Sequence, residues 1–260
     1  MEAAEPARAT TSDAAYFDRW YTDMTASPAR DAIVARALGL PPELQSSSLL
    51  TWQGIAEVAE ALHMPQDGLL VDVACGRGGY GIEVARRADA RLLGVDFSGV
   101  AVEQARLNGA KLLPSGRSEF RVGTLVATGL PAGVADGLMC VDAVQFADPP
   151  LDALREFLRL LASGARLALT CWESVEPADE RVPPRLRRMN LRQDLSAAGF
   201  TDVQVHEKPD WREAERAMWQ ESLAAPPESD PAIQSMQSEG RRVLDTFGSV
   251  RRVFGTATAP

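Results

Sequence analysis

Leu69-Leu70-Val71-Asp72-Val73-Ala74-Cys75-Gly76-Arg77-Gly78-Gly79-Tyr80-Gly81 runs from unbroken apolar residues into a cluster of glycines. The stretch reads as a buried strand over residues 69–74 that stops in a tight turn and feeds a helix over residues 79–88. Such a junction lets backbone approach a ligand closely, with the free N–H groups of a helix N-terminus facing it. Twenty residues after Gly76, a second apolar run, Leu92-Leu93-Gly94-Val95, ends in Asp96. An acid at that place can accept hydrogen bonds from both hydroxyls of a ribose. Together the two segments imply an adenosine-containing cofactor.

Outward from this stretch, apolar strands alternate with helices. A strand over 91–95 precedes a helix over 98–108 with Ser98 as its N-cap. Strands follow over 119–122 and 137–141, then a helix over 151–161 ended by Gly164, and a strand over 165–171. This alternation predicts an α/β fold with a mostly parallel sheet covered on both faces. Downstream, 174–184 reads as a loop, 186–198 as one helix ended by Gly199, and 202–206 as an alternating strand. Residues 211–245 read as a helical insertion split at Pro226-Pro227, and 252–258 as a last strand. Upstream, 1–12 read as frayed and 13–38 as one helix, with Tyr16 and Trp20 on a shared face and Tyr21 beside them. Residues 52–62 form an amphipathic helix that Thr51 can cap. The expected division is a helical extension or lid over 1–68 and a cofactor domain over 69–260.

Composition narrows the class. The chain has 260 residues and a net charge of −9, with no basic cluster, which argues against a nucleic-acid partner. Three cysteines, all in apolar runs, read as buried and reduced, and neither they nor the two histidines have metal-ligand spacing. No apolar run approaches the roughly 20 residues that span a bilayer, and the acidic start Met1-Glu2-Ala3-Ala4-Glu5 is unlike a signal peptide. The expectation is a soluble cytoplasmic protein, monomeric or homodimeric, with no metal.

Which cofactor is less direct. Gly76, Gly78 and Gly81 satisfy G-x-G-x-x-G, and Asp96 has the spacing of a nicotinamide-dinucleotide fingerprint. Three features point elsewhere. Asp72 places a carboxylate inside the first strand, where it suits a cationic amino group better than a pyrophosphate. No Tyr-x-x-x-Lys pair occurs. The strand, insertion, strand ending suggests an antiparallel hairpin at the sheet edge.

The blocks Val71–Gly78, Gly94-Val95-Asp96-Phe97-Ser98, residues 135–143 and residues 160–167, in that order and spacing, resemble the class I S-adenosylmethionine-dependent methyltransferases. The resemblance covers residues 69–206 and is greatest to members that methylate small molecules in secondary metabolism. It implies a Rossmann-like seven-stranded sheet in the order 3-2-1-4-5-7-6 with an antiparallel last strand, S-adenosylmethionine as methyl donor, and a small-molecule acceptor methylated on O, N or activated C. By position, Asp72 would anchor the methionine amino group. Ala74, Cys75, Gly76 and Gly78 would form the turn beneath the cofactor. Asp96 would hold the ribose, Phe97 would pack on the adenine, and Thr124-Leu125 would meet the adenine edge. Asp142 would face the methionine side, and the region of Thr51 the methionine carboxylate. Ala74 stands where the family has Gly, which is tolerable if its φ stays negative; Thr124 stands where the family often has Asp. Tyr16, Trp20, Tyr21, Gln145, Phe146 and Trp172 are expected at the lid or acceptor pocket. Asp142, Glu173 and His206 are candidate bases in that order. The alternatives are an NAD-dependent oxidoreductase and a family member that binds the cofactor without transferring methyl.

Overall fold

The computed structural model describes residues 11–226 and 230–260, and side chains from residue 14 onward. Seven strands form one sheet: β1 Leu69–Val73, β2 Arg91–Asp96, β3 Ser118–Val122, β4 Ala135–Val141, β5 Leu161–Ser174, β6 Thr201–Glu207 and β7 Val250–Thr258. Their order is β3-β2-β1-β4-β5-β7-β6. The first five are parallel, and β7 runs antiparallel to both β5 and β6.

Alternate side chains of each strand enter separate cores, because successive Cβ atoms point to opposite faces. Leu70, Leu92, Met139, Ala168 and Phe254 pack on one face with α3 (Trp52–Leu62), α4 (Gly79–Ala88), α5 (Gly99–Leu112) and α9 (Pro209–Ala224). Val71, Val73, Leu93, Leu138, Leu167 and Leu169 pack on the other with α6 (Pro150–Leu160) and α8 (Leu191–Ala198). Helix α6 sends Ala153, Leu154, Phe157 and Leu160 inward at helical spacing.

Four boundaries differ from the sequence expectation. The single helix over 13–38 is two, α1 (Thr11–Thr25) and α2 (Pro28–Leu38). Pro28 lacks the N–H that would continue α1, and Ser27 caps the new start by accepting from Arg30 N. The single helix over 186–198 is likewise two, α7 (Pro184–Arg187) and α8, because the Asn190 side chain accepts from Gln193 N and restarts the coil. Gly164 does not end α6, which stops at Leu160; it sits within β5 at φ 78°, where its N–H donates to Ala259 O at 2.9 Å. Helix α5 runs past Gly109 to Leu112, since that glycine is where α5 lies against Phe120 of β3, not where it ends. The insertion is two helices as expected, α9 and α10 (Pro231–Asp245); Pro226 follows α9, while Pro227 and residues 1–10 lie outside the described residues.

Candidate cofactor and acceptor site

The site lies at the C-terminal ends of β1, β2 and β4, where a parallel sheet opens its crevice. Asp72 is buried in β1. A Cβ on Gly81 would collide with its carboxylate, so the glycine makes room for the acid. Burial, together with the nearby charge of Asp96, pushes the Asp72 pKa up to about 8, against the opposing pull of the Gly81 N–H. The chain bends sharply just beyond it. Ala74, Gly76 and Gly78 all have positive φ, at 61°, 53° and 82°. The condition under which Ala74 would be tolerated without cost, a negative φ, is therefore not met: an L-residue is held in the left-handed region, where Cys75 N donates to Val95 O at 3.0 Å and Gly78 N to Cys75 O at 2.9 Å, closing the turn around it.

Asp96 closes β2 and is also buried. Its Oδ2 accepts from Gly76 N and its Oδ1 from Ser98 N, each at 2.9 Å. Burial raises its pKa to about 6, with these backbone donors working in the other direction. One carboxylate thus ties the glycine turn to the start of α5 and keeps lone pairs in reserve. Phe97 packs edge-on against Phe17 of α1, with ring centroids 5.1 Å apart. Ser98 caps α5 by accepting from Ala101 N, and its hydroxyl donates to Asp18 Oδ1 of α1 at 2.5 Å.

Helix α1 and an irregular strap over residues 46–50 cover the crevice. Tyr21 is buried, and its hydroxyl and that of Ser47 both stand over Gly76. Trp20 packs on Tyr21 at 5.1 Å, while Tyr16 is largely exposed. The strap is tied down by Tyr80 of α4. Its phenol donates to Ser48 O at 2.8 Å and accepts from Leu50 N at 2.8 Å and Ser46 Oγ at 3.0 Å. Behind it, Arg77 makes a two-pronged ion pair with Asp31 of α2, both contacts at 2.9 Å. Beneath the strap lies a small, partly open cavity lined by Ser47, Ser48, Asp72, Ala74, Cys75 and Tyr80 among others. Thr51 lies just beyond the strap, and its hydroxyl is engaged as the α3 cap, accepting from Gly54 N at 3.0 Å. Thr124 is exposed and turns its hydroxyl to Ala127 N at 3.1 Å, organising its own loop; Leu125 packs against the core on the α6 and α8 side of the sheet.

The three candidate bases are not brought together. Asp142, at φ 55°, accepts from Thr170 Oγ1 (2.7 Å), Ser48 Oγ (2.5 Å) and Arg252 Nη2 (2.7 Å). Burial would raise its pKa, but the Arg252 charge and these donors outweigh it and hold the group below the usual carboxylate range. A carboxylate kept ionised by a buried guanidinium is a poor proton acceptor, so the structure argues against Asp142 as the base. Glu173 is buried on the opposite face of the sheet, accepting from Leu191 N at 2.6 Å and from Arg251 Nε and Nη2 at 3.0 and 2.8 Å; it is a structural ion pair and neither a base nor a solvated acid. His206 is exposed on β6, the sheet edge, with β4, β5 and β7 between it and β1.

On the acceptor side, Trp172 stacks edge-on with Phe247 at 5.7 Å and lies under Arg252 at 5.4 Å. Gln145 is buried and donates through Nε2 to Asp142 O at 2.8 Å, and Phe146 is exposed beneath Arg185 at 5.1 Å. Arg252, Glu215, Tyr80 and Asp18 were not singled out by sequence. For Glu215 a signal existed: Trp211, Glu215 and Trp219 recur every four residues, which puts the acid on the buried stripe of α9.

The donor set fits a cationic nucleoside. Asp72 is a buried carboxylate whose felt neighbour is another acid, so an ammonium is the group that would settle it. Asp96, fixed by two backbone donors at the next strand end, is placed for ribose hydroxyls.

A family model described as a methyltransferase domain matches residues 71–169. An O-methyltransferase, cnsE, of Penicillium expansum is 27% identical over 161 residues, covering 57% of this chain and 58% of that protein. The matched stretch is thus under two thirds of that relative's own length. Among solved structures, the [4+2]-cyclase SpnF superposes with a TM-score of 0.73 at 22% identity, covering 88% of this chain and 92% of that one. Phosphoethanolamine N-methyltransferase 2 of Haemonchus contortus, solved with S-adenosyl-L-methionine, gives 0.72 at 18% identity, covering 90% and 57%. The methyltransferase-domain match begins inside β1 and ends inside β5 of a sheet with this strand order, so in both sequence and fold the chain is similar to S-adenosylmethionine-dependent methyltransferases.

Proposed function

We propose that this chain binds S-adenosylmethionine in the crevice under α1 and the strap, and transfers its methyl group to a small-molecule acceptor. The observation that carries the reading is Asp72, a buried carboxylate beside Gly81 with no cationic partner among the described residues, and with Asp96 one strand away. Asp72 would anchor the methionine ammonium, Asp96 the ribose, and Phe97 with Phe17 the adenine face. The sulfonium supplies an activated methyl, so the chain's task is alignment and exclusion of water. Orientation alone is worth about 7–11 kcal/mol when two reactants are held in line. Tyr21, Ser47 and Ser48 exclude water from the turn, and residues 1–68 act as the lid. Trp172, Gln145 and Phe146 would border the acceptor.

No candidate base survives with a free carboxylate or imidazole in the crevice. The acceptor is therefore one that needs little help losing its proton: an acidic phenol or enol, or an amine neutral at working pH. Relatives named as O-methyltransferases and an N-methyltransferase are consistent with either. We place the reaction in small-molecule secondary metabolism, in the cytoplasm; among the described residues no helix is long and apolar enough to cross a membrane.

Isothermal titration against S-adenosylhomocysteine and against NAD tests the cofactor. The account expects the former to bind below about 100 µM, or roughly −5.5 kcal/mol, and the latter not to bind. Binding of NAD alone would reinstate the oxidoreductase alternative. Transfer of label from methyl-tritiated donor to a panel of phenols and amines separates a methyltransferase from a member that only retains the cofactor.

A further inference from the structure

We propose that Arg252 is a positioning residue that joins the strap over the cofactor cavity to the helical insertion, so that the two open and close as one. The inference rests on the cofactor reading above for its functional meaning, and on geometry for its mechanics.

Four separate pieces of chain meet at this side chain. Arg252 on β7 is fully buried. Its Nη2 donates to Asp142 Oδ2 at 2.7 Å, and the same oxygen accepts from Ser48 Oγ of the strap at 2.5 Å. Its Nη1 donates to Glu215 Oε2 of α9, whose other oxygen accepts from Trp219 Nε1 at 3.1 Å. The path therefore runs from strap to β4 to β7 to the insertion through charged groups with little exposure to water.

Such an arrangement is a costly way to pack a core. Apolar residues of similar volume often serve at least as well as a buried ion cluster. Two carboxylates share one guanidinium here, and Arg252 Nε is buried without a partner among the described residues. Removal of any one member leaves the others uncompensated, which makes the cluster respond as a unit. The guanidinium is suited to this because its fixed fork reaches two acids at once, which an ammonium on a flexible stem does not. Opening the strap must part Ser48 from Asp142 and so disturb what holds α9. By reciprocity, anything that settles on α9 and α10 steadies the strap.

The test reads hydrogen exchange in the ligand-free protein, so it does not depend on cofactor binding. The Leu50 amide reports the strap, because it is bonded to Tyr80 and shielded from water. Arg252→Lys keeps the charge and removes the fork. The expected result is Leu50 exchange faster by about tenfold, with faster exchange in α9 as well. Should that variant not fold, Glu215→Gln cuts only the α9 end, and Leu50 exchange should still rise by about threefold or more although the change lies across the sheet's end from the strap. Ser48→Ala should reciprocally speed exchange at the Trp219 indole. Exchange changes confined to the altered element, with Leu50 within twofold of wild type in Glu215→Gln, overturn the linkage. A parallel titration of wild-type protein with S-adenosylhomocysteine reads the cofactor assignment separately: its failure removes the purpose of the linkage, not the linkage.

Discussion

Binding of the cofactor should expel a proton from Asp72. In the ligand-free protein this carboxyl has a pKa of about 8 because it is buried and sits near Asp96. At pH 7 it is therefore about nine-tenths protonated. An ammonium at hydrogen-bond distance favours the ionised form, so binding at pH 7 should release about 0.9 proton. Protein that must first ionise Asp72 binds weaker by a factor of about 11 at pH 7 and about 2 at pH 8. Affinity should thus rise about fivefold between those pH values, and fall again at higher pH as the ligand's own ammonium loses its proton. Calorimetry of S-adenosylhomocysteine in buffers of different ionisation enthalpy measures the proton directly. Asp72→Asn should bind weakly and show neither release nor slope. The same shift has a stability consequence of opposite sense. The folded pKa lies above the unfolded value, so this group's contribution to stability is complete below about pH 4 and is lost as pH rises through 8. Proton release near zero at pH 7, with a flat affinity profile in wild type, would refute the assignment of Asp72 to the ammonium.

Three further outcomes follow from the same geometry. Ala74→Gly relieves a left-handed alanine, a gain of about 1–2 kcal/mol, and returns about 0.4–1 kcal/mol as unfolded-state entropy, so thermal unfolding should shift up by a degree or more; a lower melting temperature would contradict the strain. Asp96→Ala should weaken S-adenosylhomocysteine at least about tenfold in titration, since it removes the ribose acceptors and the tie to Gly76 N. Tyr80→Phe leaves Leu50 N unpaired and reduces Ser48 O to its contact with Ser46 Oγ, at about 1–3 kcal/mol. Denaturant unfolding and cofactor titration should both register the loss, and an unchanged dissociation constant would show that the strap does not touch the cofactor.

The sheet was legible because its strands are short apolar runs of β-branched and leucine residues set between turn residues, and because Ser98 and Thr51 announce helix starts by their side-chain chemistry. The glycine turn was legible for the same reason: only small residues pass that close to backbone. The helix breaks at Ser27-Pro28 and Asn190 were overlooked because helical spacing of apolar residues continues across them, and a cap interrupts backbone without interrupting the pattern. Asp142 and Glu173 were found as strand-end acids, but their roles were set by Arg252 and Arg251, 110 and 78 residues away. Partners that distant leave no local trace. The two arginines are adjacent in β7, and period two sends one to each face; nothing in Arg251-Arg252 itself says which is fully buried. Ala74 was misjudged because one methyl looks harmless in sequence, whereas the cost lies in the backbone angle that the turn imposes.

A crystal structure of the protein soaked with S-adenosylhomocysteine tests the central claim most directly. The account predicts the nucleoside under α1 and the strap, with its ammonium at Asp72 and its ribose hydroxyls on Asp96. Density for it in any other place, or a crevice that stays closed at saturating concentration, would contradict the account.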